Sequence, residues 1–520
     1  MGAHVAAATP FVVATIRSIS HGWVSMGDGA AVTVRSWDVL SSRTPLVGSH
    51  SSFGTYDLGP LEYWLLTLPV HLDPSHGTLW GAALCCILAA SLTIEATRSA
   101  FGLLGALAAS LVVLGCVAWM PSIALGPTWN PHFGDLWFLS VLASSCAVLC
   151  GRRRWWPVLV LSGSVAAQTH LMFAATSVAL VLLGLGVEMA RSHRTKSGFG
   201  WLAGGVVLGV ACWAAPLVQE FTGRPGNLSV LLNHDTGHSV EGLAFGLRVL
   251  SSATMPPPLW WTASDGRNTH SIVSTIGARS PIFGVIALAV LVGLAVLAWS
   301  SRNRQIFAVS TVAALACVGL VVTFAVVPTD LFPPYLITVL LPVGALVWMT
   351  ICCGFVVLGR RAIDKVTVAR AGRPEVLGVA NLSNAGITLL ALLPLVAVAG
   401  LALRGQAEEF QRAFNWRLMP VVKTASLEIE RAAGHQPVQI VVIGLHGTNT
   451  YGVMTGIAAK LDEDGYRPEV IGFESAAALG PSYLPRRGSA IARVTFHDYQ
   501  VAVVVHLPEE RRSPSPPVVR

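Results

Sequence analysis

Long, nearly uninterrupted apolar stretches decide what this chain can fold into. A helix crossing the roughly 30 Å hydrocarbon core of a bilayer needs about 20 predominantly apolar residues, since each adds about 1.5 Å. Such stretches lie near 78–95, 100–119, 133–150, 200–217, 281–300, 306–327, 335–357 and 380–402. A further stretch, 156–190, is too long for one crossing and is interrupted by Gln168-Thr169-His170, so two spans with a tight turn there fit it. A first span near 5–25 is weaker, broken by Arg17, Ser18, Ser20 and His21. The expectation is a polytopic α-helical membrane protein with about 11 transmembrane helices.

Only 12% of the 520 residues are charged, against about 25% in soluble domains. The net charge of +7 does not point to nucleic acid, because many basic residues sit in short clusters between the apolar stretches. Arg152-Arg153-Arg154, the run from Arg191 to Lys196, Arg302 with Arg304, and Arg360-Arg361 fall on one side under this span count. Positive charge marks the cytoplasmic side. The N-terminus is then cytoplasmic at the plasma membrane. Residues 27–77, 120–132, 168–170, 218–278, 328–334 and the C-terminal tail face the other side. The nine cysteines lie in or beside apolar segments and show no His/Cys metal spacing. The start lacks a basic region followed by a small-residue cleavage site, so no cleaved signal peptide is expected.

The chain changes character near 404. An apolar run at 438–444 reads as a buried strand, 450–461 as a helix followed by Gly465, and 469–472, 490–496 and 501–505 as further strands. We read 1–403 as a transmembrane domain with long external loops 27–77 and 218–278, 404–508 as a small α/β extracytoplasmic domain, and 509–520 as a disordered proline-rich tail.

Residues suited to chemistry gather in the external segments. Carboxylates at a membrane are costly to desolvate and face water, a partner or a substrate. Asp28, just past the first span, fits a general base for an acceptor hydroxyl and equally fits a helix border. Asp38, flanked with Arg35 around Trp37, fits a sugar-hydroxyl contact with Trp37 over an apolar ring face, or a cap and an interface anchor. The run Tyr56-Asp57-Leu58-Gly59-Pro60-Leu61-Glu62 puts Asp57 and Glu62 beside a helix start, as substrate or cation ligands or as plain helix-start chemistry. His50 and Tyr56 belong to the same loop. His132, Gln168, His170, Gln219 and Glu220 lie at helix ends expected on the external side, where polar groups are needed anyway. Arg224 and Arg267 suit a lipid-linked phosphate or phospholipid head groups, and Asn227 a hydroxyl or a turn.

The early external Asp28, the Gly59-Pro60-Leu61-Glu62-Tyr63-Trp64 element and the span count resemble the GT-C superfamily of membrane glycosyltransferases. Trp129-Asn130-Pro131-His132, Gln168-Thr169-His170 and Gly223-Arg224-Pro225-Gly226-Asn227, in an Ala-, Gly- and Val-rich chain, are similar to actinobacterial cell-envelope members. The resemblance covers residues 10–400. It implies a GT-C-like fold and inverting transfer, most characteristically of arabinofuranose, from decaprenyl or another polyprenyl phosphate to an envelope glycan. Asp28 would be the base, with Asp57, Glu62 or Asp38 as second acid. The metal site is left unassigned, with Mg, Mn or Ca as candidate cofactors. The partners implied are the lipid-linked donor, the glycan acceptor and membrane lipid. The rival expectation is a transporter or flippase for a lipid-linked precursor. That reading calls for mid-span charges and paired repeats, and the sequence shows few of the former and no convincing repeat.

Overall fold

The structure, a computed structural model, describes residues 2–51, 54–119, 128–193, 199–233, 240–259, 269–328, 334–354, 414–433, 438–443, 448–466, 468–470, 473–484, 490–497 and 500–506. The span expected at 380–402, Arg267 and the tail 509–520 lie outside these residues.

Among the described residues, seven helices are long and apolar enough to cross a membrane. The helices run in the order α1 Gly2–Ser20, α2 Asp28–Trp37, α3 Leu61–Leu72, α4 Gly77–Trp119, α5 Asn130–Leu149, α6 Trp156–Thr169, α7 Leu171–Ser192, α8 Phe199–Thr222, α9 Asn227–Asn233, α10 Gly242–Thr254, α11 Thr269–Gly277, α12 Ile282–Ser300 and α13 Arg304–Ala325. They continue with α14 Leu336–Gly354, then α15 Phe414–Ala433, α16 Thr448–Glu463 and α17 Phe473–Leu479. The seven are α4, α5, α7, α8, α12, α13 and α14. The stretches 78–95 and 100–119 form one run, α4, interrupted at Gly102 (φ 76°, ψ −159°), a conformation open to a residue without Cβ. The stretch 156–190 divides at His170, where the backbone turns extended (φ −157°, ψ 137°). Its first half, α6, has 14 residues, about 21 Å of helix and less than a bilayer core. Helix α1 carries Pro10 and Arg17 and is not among the seven.

The chain forms two compact units. The first holds Met1–Thr15, Leu46–Glu62 and Ala82–Glu409. Its helices approach closely at small residues, as helices do where lipid removes the hydrophobic drive. A Cβ on Gly319 would lie 2.0 Å from Thr176 Oγ1, and one on Gly205 would meet the Trp156 indole, whose Nε1 donates to the Leu202 carbonyl at 3.3 Å. Glu188 of α7 is fully buried and lies between two arginines: Arg153 Nε donates to one carboxylate oxygen at 2.8 Å and Arg191 Nη1 to the other at 3.0 Å. Arg191 also donates to the Val148 and Leu149 carbonyls. The Val148 carbonyl also takes the Gly151 N–H at 2.9 Å, so Arg191 adds a second bond at this end of α5.

The second unit holds Ile16–Pro45, Tyr63–Gly81 and Phe410–Arg520. Its sheet has four strands, β1 Val438–Ile443, β2 Pro468–Val470, β3 Ala490–His497 and β4 Gln500–His506, in the order β2-β1-β3-β4. β1 is parallel to β2 and β3, and β3 with β4 is an antiparallel hairpin. Helix α16 makes the crossover that a parallel β1–β2 pair requires. It ends in a Schellman motif: Gly465 has φ +82°, its N–H bonds to the Asp462 carbonyl, and the Tyr466 N–H reaches back to Leu461. Val24, Ala30, Ala31 and Val34, in and just before α2, are buried in one core with Val422, Ile429, Ile440, Ile457 and Val494.

Candidate functional site

In the first unit a polar knot forms around Asp57. The Asp57 side chain is buried at 2% exposure. Its Oδ2 accepts from Asn130 Nδ2 at 3.3 Å, and its Oδ1 accepts from the Leu171 backbone N–H, the first residue of α7, at 3.1 Å. Asn130 Nδ2 also donates to the Thr169 carbonyl at 3.2 Å. The Asp57 backbone takes part too: its N–H bonds to Ser49, and its carbonyl accepts from Gly48 and from Asn227 Nδ2 at 3.2 Å. Next to it Gly59 lies so close to Gln168 that an added Cβ would come within 2.2 Å of Oε1, while Gln168 Nε2 donates to the Cys212 carbonyl at 2.9 Å. The loop carrying Asp57, the start of α5, the α6–α7 break and the start of α9 therefore meet at one residue, the first three at its carboxylate and α9 at its backbone carbonyl.

The other polar residues expected around this region build its corners. His170 Nδ1 accepts from the Met172 N–H at 3.1 Å and caps α7. Gln219 Oε1 accepts from the Asn227 N–H at 2.6 Å, and Glu220 Oε2 from the Leu228 N–H at 2.8 Å, with its other oxygen taking the Ser229 hydroxyl. The pair thereby caps α9. His132 is buried and stands edge-on to Trp129 at 4.9 Å. His50 pairs with Tyr56 across an isolated antiparallel bridge, with rings 5.1 Å apart. Glu62 is buried in the first turn of α3, where the helix dipole favours an anion. Arg224 is exposed, and no acid lies within ion-pair distance of it among the described residues.

In the second unit Asp28 is the first residue of α2, after Gly27 with φ 58°. Tyr451 Oη, from the first turn of α16, donates to Asp28 Oδ1 at 3.0 Å. Tyr451 is also the side chain that a Cβ on Gly27 would meet, at 3.8 Å. A half-buried carboxylate at a helix N-terminus, held by a phenol, is fixed in orientation and favoured in its charged form.

Asp38 follows the end of α2 and is buried at 1% exposure. Arg43 Nη2 sits 2.8 Å from its Oδ1, and Arg35 Nη1 lies 3.8 Å from its Oδ2. Burial pushes its carboxyl up from 3.8 to about 6, against the pull of both arginines. Arg43 lines a cavity of 220 Å³ with Asp462, Tyr466, Pro468, Glu469, Ser482 and Tyr483. Burial also raises Asp462, while the neighbouring Tyr483 hydroxyl and Arg43 lower it. Trp37 is 39% exposed but stacks on His71 at 4.4 Å and 3°, so a neighbouring ring already covers one face.

Sequence reasoning did not find Tyr451, Arg43, Asp462, Tyr466, Glu469 or Tyr483. Arg43 lies only five residues from Asp38 and was open to discovery as its counter-charge. The others stand more than 400 positions away and carry no local signal. Among the described residues, no group of three His, Cys, Asp or Glu side chains is placed to hold a metal ion.

No protein-family model matches this chain, and no curated protein sequence matches it. Among solved structures it is similar to ArnT from Cupriavidus metallidurans bound to undecaprenyl phosphate, at 13% identity and TM-score 0.48, over 96% of this chain and 97% of that one. It is also similar to the Archaeoglobus fulgidus oligosaccharyltransferase in its apo form, at 10% identity and TM-score 0.41, over 88% of this chain and 63% of that one. A third is AglB of the same organism with an inhibitory peptide and a dolichol-phosphate, at 11% identity and TM-score 0.37, over 87% and 63%. The chain thus spans less than two thirds of the length of the archaeal transferase.

Proposed function

We propose that this chain is a GT-C-type membrane glycosyltransferase that moves a sugar, arabinofuranose in the first instance, from decaprenyl or another polyprenyl phosphate to a cell-envelope glycan. The observation that carries the reading is the knot at Asp57. The three segments that resemble actinobacterial envelope enzymes are 129–132, 168–170 and 223–227. Their residues Asn130, Thr169 and Asn227 meet there, joined by hydrogen bonds to or beside Asp57. Segments so far apart in sequence share a family pattern for a physical reason if together they hold one scaffold.

In this reading Asp28 is the general base. The acceptor hydroxyl oxygen attacks the anomeric carbon from the face opposite the phosphate. A carbon–oxygen bond forms, the bond to the phosphate oxygen breaks with its electron pair leaving on the phosphate, and the hydroxyl proton passes to the Asp28 carboxylate. The configuration inverts. A phosphate leaving group needs little acid assistance, so one base suffices. Tyr451, from the same unit, fixes the rotamer of Asp28. The proposal includes the topology read from the arginine clusters: plasma membrane, N-terminus cytoplasmic, and 404–508 an α/β domain on the extracytoplasmic side.

The test is transfer by purified Asp28→Asn protein beside wild type in lipid, with decaprenyl-phosphoryl arabinofuranose and a short furanoside acceptor. Transfer by wild type and its loss in a variant that melts like wild type are expected. Equal transfer by both would remove Asp28 from the chemistry. No transfer by either would count against this donor, and assays with other polyprenyl-phosphate sugars and of lipid flipping would then decide whether the transferase reading survives.

A further inference from the structure

We infer that the first unit carries a binding site for one anionic phospholipid, with the phosphate among Arg152, Arg153 and Arg154 and an acyl chain in an adjoining apolar groove. The head-group part is a cavity of 510 Å³ lined by Ser99, Gly151, the three arginines and Trp201. Its charge is one-sided. Arg153 and Arg191 share the single buried carboxylate of Glu188. Arg152 holds its place by donating Nε to the Ser99 carbonyl at 2.9 Å, and Arg154 lies 5.8 Å over the Trp155 ring. Neither of the latter two has a carboxylate within ion-pair distance among the described residues, and both are exposed. Planar guanidiniums gathered around a cavity match the oxygens of a phosphodiester. Basic pockets between membrane helices take anionic head groups for this reason.

The groove supplies the second half of the ligand. It measures 380 Å³, and Phe101, Leu104, Ala108, Leu142 and Met349 are among its lining. Arg152 of the cavity and Gln305 of the groove bond to consecutive carbonyls, Ser99 and Ala100, so the two lie beside one turn of α4 just before Gly102. Gln305 lies in the groove and ties it to the same turn, donating Nε2 to the Ala100 carbonyl at 2.8 Å. Trp201 at the rim is the residue type found where chains meet head groups. A charged cavity beside an apolar groove fits a molecule that is anionic at one end and hydrocarbon at the other.

The experiment uses the full chain in detergent, with native mass spectrometry counting bound phosphatidylglycerol, phosphatidylcholine or inorganic phosphate. Wild type is expected to retain one phosphatidylglycerol in preference to phosphatidylcholine. Arg152→Gln/Arg154→Gln should retain it about thirtyfold less, in line with the loss of two head-group charges. Ala108→Phe fills the groove and leaves the arginines in place, and it should also weaken retention. That keeps the test decisive if the double variant does not fold. Equal retention of both lipids, or unchanged retention in a folded variant, would overturn the inference. Displacement of the lipid by millimolar inorganic phosphate would also overturn it, showing a site for a soluble anion.

Discussion

Replacing Asp57 with alanine separates a structural carboxylate from a chemical one. The substitution removes two buried acceptor oxygens, one bonded to Asn130 at 3.3 Å and one to the Leu171 N–H at 3.1 Å. Hydrogen bonds to charged groups contribute about 1.5–3 kcal/mol each. Both distances exceed the 2.7–2.9 Å typical of strong charge-assisted bonds, so the lower end applies, roughly 3–4 kcal/mol in total. Asn130 keeps its bond to the Thr169 carbonyl, and the backbone bonds of residue 57 survive, so the loss should stay local. Two measurements check it. Hydrogen exchange at the Leu171 amide should accelerate by about two orders of magnitude, since 1.4 kcal/mol is a factor of ten. A double-mutant cycle of Asp57→Ala with Asn130→Ala should show a coupling of about 1 kcal/mol. A variant that loses transfer yet keeps wild-type Leu171 protection and the wild-type melting profile would refute the reasoning, and Asp57 would then be a reacting group.

Three further predictions concern other sites. Tyr451→Phe should lower kcat by about tenfold with little change in KM, because one bond to the Asp28 carboxylate is lost; unchanged kcat would show that Asp28 needs no such support. Since the Asp38 carboxyl is raised from 3.8 to about 6, the folded state holds its proton through a range where the unfolded chain has released it. Stability should therefore fall as pH rises from about 4 to about 6 and level off above. Asp38→Asn should flatten that slope in melting curves, and an unchanged slope would assign it to other groups. Glu188→Gln leaves Arg153 and Arg191 without their shared carboxylate and should destabilise by about 3 kcal/mol, the lower end for a broken buried pair because both arginines are partly exposed. A melting midpoint within error of wild type would show the pair to be near neutral.

Much of the helical layer was legible because membrane spans announce themselves locally. The polar tripeptide 168–170 marked the α6–α7 break, and the apolar runs at 438–444 and 490–496 marked strands that appear as Val438–Ile443 and Ala490–His497. The limits are equally physical. Nothing local distinguishes two spans from one run bent at Gly102, because the backbone angle of a glycine is set by its neighbours in space. The short α6 reads like a span in hydropathy and is separated only by its length. Residues 27–77 read as one external loop, yet their contacts distribute them over both units. Asp57 and Asp28 look alike in sequence, each an acid beside a helix start. One closes a knot of four segments, and the other meets a phenol from position 451. That difference is entirely tertiary.

The core that buries α2 has a consequence for biogenesis. Val24, Ala30, Ala31 and Val34 find their packing partners in residues 418–494. Contacts at that separation form late, since chains fold from the N-terminus as they are made. On a ribosome, the helix that begins with Asp28 would wait, its apolar side uncovered, for nearly 400 residues of further synthesis. A nascent chain halted before α16 has no Tyr451 to orient Asp28. Whatever chemistry Asp28 performs would be withheld from partial products and begin only once α16 has been made.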